Sequence, residues 1–257
     1  MFTAKSLIPL LFSFIGGMST IIGAFIIFFT KGNNKKLLTF SLSFSAGVMI
    51  TVSLTDLYPC ARETFLKEIG GFRGVLYSLL FMLIGILIAL LINLFIPQSS
   101  TEKYKSDDNS LYKIGIITMV ALILHNFPEG ITTFISGYEN RLLGIYITIA
   151  IALHNIPEGI SIAVPIYFST KSKAKAFKYT FLSGIAEPIG AFIAFLFLKP
   201  FINNFILAVC FSIISGIMLY ISFTELIPTS IKTGYKRVSV FSLFLGIFII
   251  PLSHAFF

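Results

Sequence analysis

"LHNFPEGI" at residues 124–131 returns as "LHNIPEGI" at 153–160, and both copies lie inside long apolar runs. Ionisable side chains within a membrane segment are costly, so each needs a partner or a task. On a helix, His125 and Glu129 are four residues apart and Asn126 and Glu129 three apart, so all three share a face. At about 100° per residue, the glutamate points about 40° from the histidine and lies between histidine and asparagine. One carboxylate can then reach two ions, one flanked by histidine and one by asparagine. His154, Asn155 and Glu158 repeat the pattern.

The runs that hold the motifs are two of eight. The 257 residues are 56% hydrophobic and only 12% charged, with a mean hydropathy of +0.93. A soluble domain carries about twice that charged share. Apolar runs of about 20 residues can cross a bilayer core of about 30 Å as helices. Such runs are read at 8–29, 37–58, 75–96, 112–136, 142–168, 177–198, 205–223 and 238–256. The ten-residue alternation of a transmembrane barrel is missing. The first run is too long for the apolar part of a signal peptide and shows no small-residue cleavage site, so it counts as a span. The reading is an all-α integral membrane protein, one polytopic unit over 1–257. The polar stretch "PQSSTEKYKSDDNS" makes residues 97–111 a mobile loop.

The net charge of +8 raises nucleic acid as a partner, and its placement argues against it. Of the 19 basic residues, all but Lys5, Arg62, Lys67, Arg73, Arg141 and Lys199 fall in the connections after spans one, three, five and seven. The positive-inside rule puts those connections in the cytoplasm and both termini outside it. The basic residues orient the chain and meet anionic lipid heads rather than forming a phosphate groove. The two cysteines, Cys60 and Cys210, have no metal-site spacing and read as packing residues rather than a disulfide.

Depth ties the two motifs together. Midway between His125 and His154 lies the polar turn "SGYENR", so each histidine is about 14 residues, roughly 21 Å of helix, from it. The motifs therefore face each other near mid-membrane. Pro128 and Pro157 weaken the local helix and free a carbonyl, which suits a cavity better than lipid. Glu187 in "GIAEPIG" sits midway along span six with its own proline. Three ionised, isolated carboxylates at that depth would cost roughly 8–10 kcal/mol, at about 3 kcal/mol each. With no lysine or arginine at that level, protonation, a base or bound cations must answer for them. A lone buried histidine is more often a satisfied core residue; two at matched depth, each with a glutamate one turn on, reverse that reading. Imidazole, carboxylate and amide together suit Zn2+, Mn2+, Fe2+ or Co2+ better than Cu(I) or Ca2+.

The chain also matches itself. "AGVMITVSLTDLYP" (46–59) aligns with "SGIMLYISFTELIP" (215–228), and "GAFI" at 23–26 with "GAFI" at 190–193. Span two runs outward and span seven inward, so the repeat is inverted: spans one to three against six to eight, around a central pair. Inverted repeats with a site at their interface mark secondary transporters.

At these residues the chain resembles the ZIP family of metal transporters, and within it the bacterial ZupT branch. The similarity of "ALHNIPEGISIAVPIYF" and "GIAEPIGA" is nearly residue by residue, and it extends over essentially the whole chain. The resemblance implies eight helices, a multi-pass place in the bacterial plasma membrane and uptake of zinc, with iron, manganese, cobalt or cadmium. Many members are homodimers. It implies a first ion position at His125, Glu129, His154 and Glu158. The second would use Asn126, Asn155 and Glu187 with both bridging glutamates. Spans one, four, five and six would move against the other four. Asp56 would serve as entrance and Glu225 as exit, although helix-end solvation explains both equally well. The cytoplasmic loop departs from the histidine-rich loop of many relatives, having no histidine, and His254 matches no family role.

ATP is not the motor, because no G-x-x-x-x-G-K-[ST] stretch is present. An intramembrane di-metal enzyme is the alternative, but H-E-x-x-H is missing and three histidines are few for di-iron chemistry. The reading is a transporter, with no catalytic cofactor and the metal ion as cargo.

Overall fold

Helices and the turns that link them make up the computed structural model, which describes residues 4–29, 34–95, 106–198 and 203–254. α1 (Ala4–Ala24) tightens into a 3-10 turn at Phe25–Phe29. α2 (Lys35–Thr51) starts where the Asn34 side chain accepts from the Leu37 amide, satisfying one of the orphan donors of a helix start. It loosens into a π-helical stretch at Val52–Leu57 and continues as α3 (Tyr58–Ile69), with Pro59 in the first turn. Gly70 then takes a positive φ of 82°, a turn that favours glycine, and leads into α4 (Gly71–Phe95).

α5 (Ser106–Glu139) and α6 (Arg141–Thr170) form a hairpin around Asn140, whose side chain caps α6 by accepting from the Leu142 and Leu143 amides. Each carries one motif. The sixth span breaks in two, α7 (Lys173–Gly184) and α8 (Ala186–Ile193), the latter relaxing into a π-helical stretch at Ala194–Leu198. α9 (Asn204–Ile221), a π-helical stretch at Ser222–Leu226 and α10 (Ile227–Lys232) repeat the plan of α2 and α3, and α11 (Lys236–His254) ends the described chain.

Seven of the described helical segments are long and apolar enough to cross a membrane. A helix, α11, stands where the eighth run was expected, but it is not one of these seven. Helix runs past the ends of the apolar windows: the second span reaches Ile69, well beyond residue 58. Of the expected loop at 97–111, residues 97–105 lie outside the described residues, and Ser106 already starts α5. Both cysteines are free, Cys60 exposed and Cys210 partly buried.

Pro128 and Pro157 sit inside continuous helices. A proline removes one internal bond, and the flanking turns hold the helix across it. The break comes at Ile185, between α7 and α8, and Pro188 falls in the first turn of α8, where its missing N–H is one that the helix start would leave unused.

The helices pack as two groups. α1, α5, α6, α7 and α8 form one; α2 against α11, and α4 against α9, form the other. α2 and α9 join the groups by packing on α6 and α5. Gly17 and Gly184 let α1 and α7 touch backbone to backbone, since a Cβ on either would run into the other's carbonyl.

Candidate metal centre

The hairpin brings the two motifs to one level. His154 Nε2 lies 2.9 Å from Glu129 Oε1, and His125 Nε2 lies 3.5 Å from both Glu129 Oε2 and Glu158 Oε1. One ligand atom from each of His125, Glu129 and His154 falls within 4.8 Å of the others, close enough to hold a single ion. All four side chains are buried. Glu129 reaches both histidines, as a residue one turn from one and facing the other must.

The amides and Glu187 gather on the neighbouring side. Asn155 Nδ2 donates to Glu187 Oε2 (3.0 Å) and to the Gly16 carbonyl (3.0 Å). Asn126 Nδ2 donates to the Ser183 carbonyl (3.1 Å). Each asparagine thus spends its donors on backbone or carboxylate and leaves its oxygen unspent: Asn126 Oδ1 and Asn155 Oδ1 have no hydrogen-bond partner. The same holds for Glu129 Oε2, both oxygens of Glu158, Glu187 Oε1 and both ring nitrogens of His125. Buried polar atoms are normally paired, and a cluster of acceptors without donors is what a cation satisfies.

A cavity of about 300 Å³ is lined by His125, Glu129 and His154 and also by Asp56. Ile151 and Phe211 form apolar parts of its wall. Asp56, at the end of α2, therefore shares the cavity with the histidine side. Glu225, its counterpart after α9, is held apart: Asn93 Nδ2 donates to Glu225 Oε1 at 2.6 Å and approaches Tyr220 Oη at 3.2 Å.

A family model described as ZIP zinc transporter matches residues 96–253, more than half of the chain. The chain belongs to the ZIP family. This ZIP chain is 40% identical to a zinc transporter ZupT of Clostridium perfringens, over 96% of the chain and 95% of the relative. It is 40% identical to a zinc transporter ZupT of Streptococcus mutans, over 93% of each. With a zinc transporter ZupT of Chlorobium luteolum the identity is 39%, over 95% of the chain and 96% of the relative. As a ZIP member it is a transporter and not an enzyme.

Sequence reasoning on this ZIP chain missed the carbonyls of Gly16 and Ser183, which hold the asparagines, and Asn93, which holds Glu225. The signal for the first two was the small-residue pairs "GG" at 16–17 and "SG" at 183–184, which align when "GAFI" is set on "GAFI". Asn93, a single amide in an otherwise apolar run, was visible but had no nearby partner in sequence.

Proposed function

We propose that this chain is a secondary transporter that carries divalent transition-metal ions into the cytoplasm, zinc and with it iron, manganese, cobalt or cadmium. The ions would pass through a two-position site at mid-membrane. His125, Glu129, His154 and Glu158 hold one position. Asn126, Asn155 and Glu187, with Glu129 and Glu158 bridging, hold the other. The observation that carries the reading is the convergence of His125, Glu129 and His154 within 4.8 Å beside carboxylate oxygens that are buried without partners. The relatives named zinc transporters support zinc as cargo.

The reading takes the chain as one eight-span unit in the cell membrane with both termini outside, its lysine-rich connections facing the cytoplasm. Lipid surrounds it, with a second copy as partner in a homodimer. The inverted repeat is supported by paired close approaches. A Cβ on Gly23 would strike the Ile156 carbonyl in one motif, and one on Gly190 the Phe127 carbonyl in the other. The group formed by α1 and α5 to α8 is the candidate moving body, and Asp56 and Glu225 are the candidate entrance and exit.

An ion of charge 2+ moving inward at −100 mV gains about 4.6 kcal/mol from the potential alone, so uptake needs no further coupling. Competitive metal uptake into proteoliposomes tests the proposal. Glu129→Ala and His154→Ala are expected to lose uptake by about 10-fold or more, as removal of a metal ligand should. Normal transport of every metal by both variants would overturn the site.

A further inference from the structure

The two halves of the bundle match at the site, atom for atom in the backbone. Asn155 donates to the Gly16 carbonyl, and Asn126 donates to the Ser183 carbonyl. A Cβ on Gly159 would run into the Thr20 carbonyl, and one on Gly130 into the Glu187 carbonyl. Gly17 and Gly184 meet each other on the axis between them. Positions 16, 17, 20 and 23 of α1 thus stand where 183, 184, 187 and 190 stand in α7 and α8, at a constant offset. Under that operation Thr20 takes the place of Glu187, and Ser183 the place of Gly16.

The side chains break the match in a compensated way. Gly16 leaves room for the Glu187 carboxylate, because a Cβ there would strike Glu187 Oε1. At the corresponding place Ser183 carries a side chain, and the residue beside it is the shorter Thr20. Long meets short in one half, and in the second the two equivalent positions, 20 and 183, both carry short hydroxyl side chains. Thr20 Oγ1 and Ser183 Oγ are both fully buried with no hydrogen-bond partner, and Asn126 Oδ1 is a third oxygen of the same kind. Buried hydroxyl oxygens are seldom left in that condition, and their lone pairs are free to coordinate a cation.

We propose that Thr20 Oγ1, Ser183 Oγ and Asn126 Oδ1 form the neutral half of the asparagine-side ion position, and that Thr20 is the residue that sets its charge. The proposal rests on the two-position site above. Three carboxylates against two divalent ions leave one positive charge uncompensated. A fourth carboxylate at position 20 would balance it, and ligand charge count is a main control of affinity for such ions. Threonine at this place keeps the ion coordinated by oxygen yet free to leave. The half-sites are interchangeable in backbone geometry, so a carboxylate at position 20 can do the work of Glu187.

Zinc uptake in proteoliposomes and equilibrium zinc binding in detergent test this with two variants beside Glu187→Thr. Glu187→Thr alone should lower uptake about 10-fold or more. The triple exchange Glu187→Thr, Thr20→Glu and Ser183→Gly should recover most of it, since the carboxylate moves to the equivalent place with room made for it. Loss in the single variant without recovery in the triple overturns this inference and leaves the two-position site standing. Undiminished uptake by Glu187→Thr overturns the assignment of Glu187 and this inference together. Thr20→Val keeps the shape of the side chain and is the safeguard if the triple exchange folds poorly. It should weaken zinc binding several-fold, and unchanged affinity would overturn the role of the hydroxyl.

Discussion

Residues 52–57 and 222–226 are the same piece of structure used twice. Both are π-helical turns between an apolar helix and a proline-started one. Ser53 and Ser222 each donate back to a methionine carbonyl, at 2.7 and 2.8 Å, and Thr55 and Thr224 each donate one turn back, at 2.9 and 2.7 Å. Hydroxyls that bond four residues back loosen a helix locally, which fits the wider turn at both places. Their acidic residues fare differently. Asp56 accepts from its neighbour Thr55 (2.8 Å) and lines the cavity that reaches His125, Glu129 and His154. Glu225 is tied to Asn93 on α4. Matched backbone therefore does not mean matched surroundings: Asp56 borders the cavity that reaches the histidines, and Glu225 is tied to α4.

The comparison breaks most visibly if access is measured directly. In a background with Cys60 and Cys210 replaced by serine, Leu57→Cys, on the cavity wall, should react quickly with an externally added, membrane-impermeant thiol reagent. Leu226→Cys, at the equivalent buried place, should stay almost unlabelled. Equal labelling of the two would remove the distinction between the ends. A smaller effect is expected from Asp56→Asn. Removing one charge from the cavity wall should raise the KM for zinc uptake about threefold to tenfold and leave kcat nearly unchanged, because a single charge outside the ligand set acts mainly on capture. A kcat effect of the same size would place Asp56 in a later step. The smallest effect concerns stability. Asn93→Leu leaves the Glu225 carboxylate without its amide and should destabilise the detergent-solubilised protein by about 1–3 kcal/mol, read as a lower melting temperature.

Much of the site was legible because it is local. His125 and Glu129 are one helical turn apart, and the 29-residue return of the motif across a polar turn leaves little choice about depth. Glu187 was legible as a charge with no cation at its level. Its hydrogen bond to Asn155 was not, since that needs the relative rotation of α6 and α8. The helix break at Ile185 was not legible from the prolines. All three motifs carry one, and sequence offers no way to tell a proline bridged by intact turns from one seated at a helix start. Asn93 and Glu225 are far apart along the chain, and only the packing of α4 on α9 brings them together.

The sequence by itself determined the membrane class and the helix hairpin that carries the duplicated motif. Each follows from short-range periodicity or from the free energy of burying polar groups, and neither needs a partner helix to be known. Only the tertiary structure decided which acid borders the histidine cavity, which is tied to Asn93, and that the Gly16 and Ser183 carbonyls hold the asparagines. These depend on how rigid helices approach and rotate against each other, with glycines setting distances of closest contact, and a one-dimensional pattern does not carry that information.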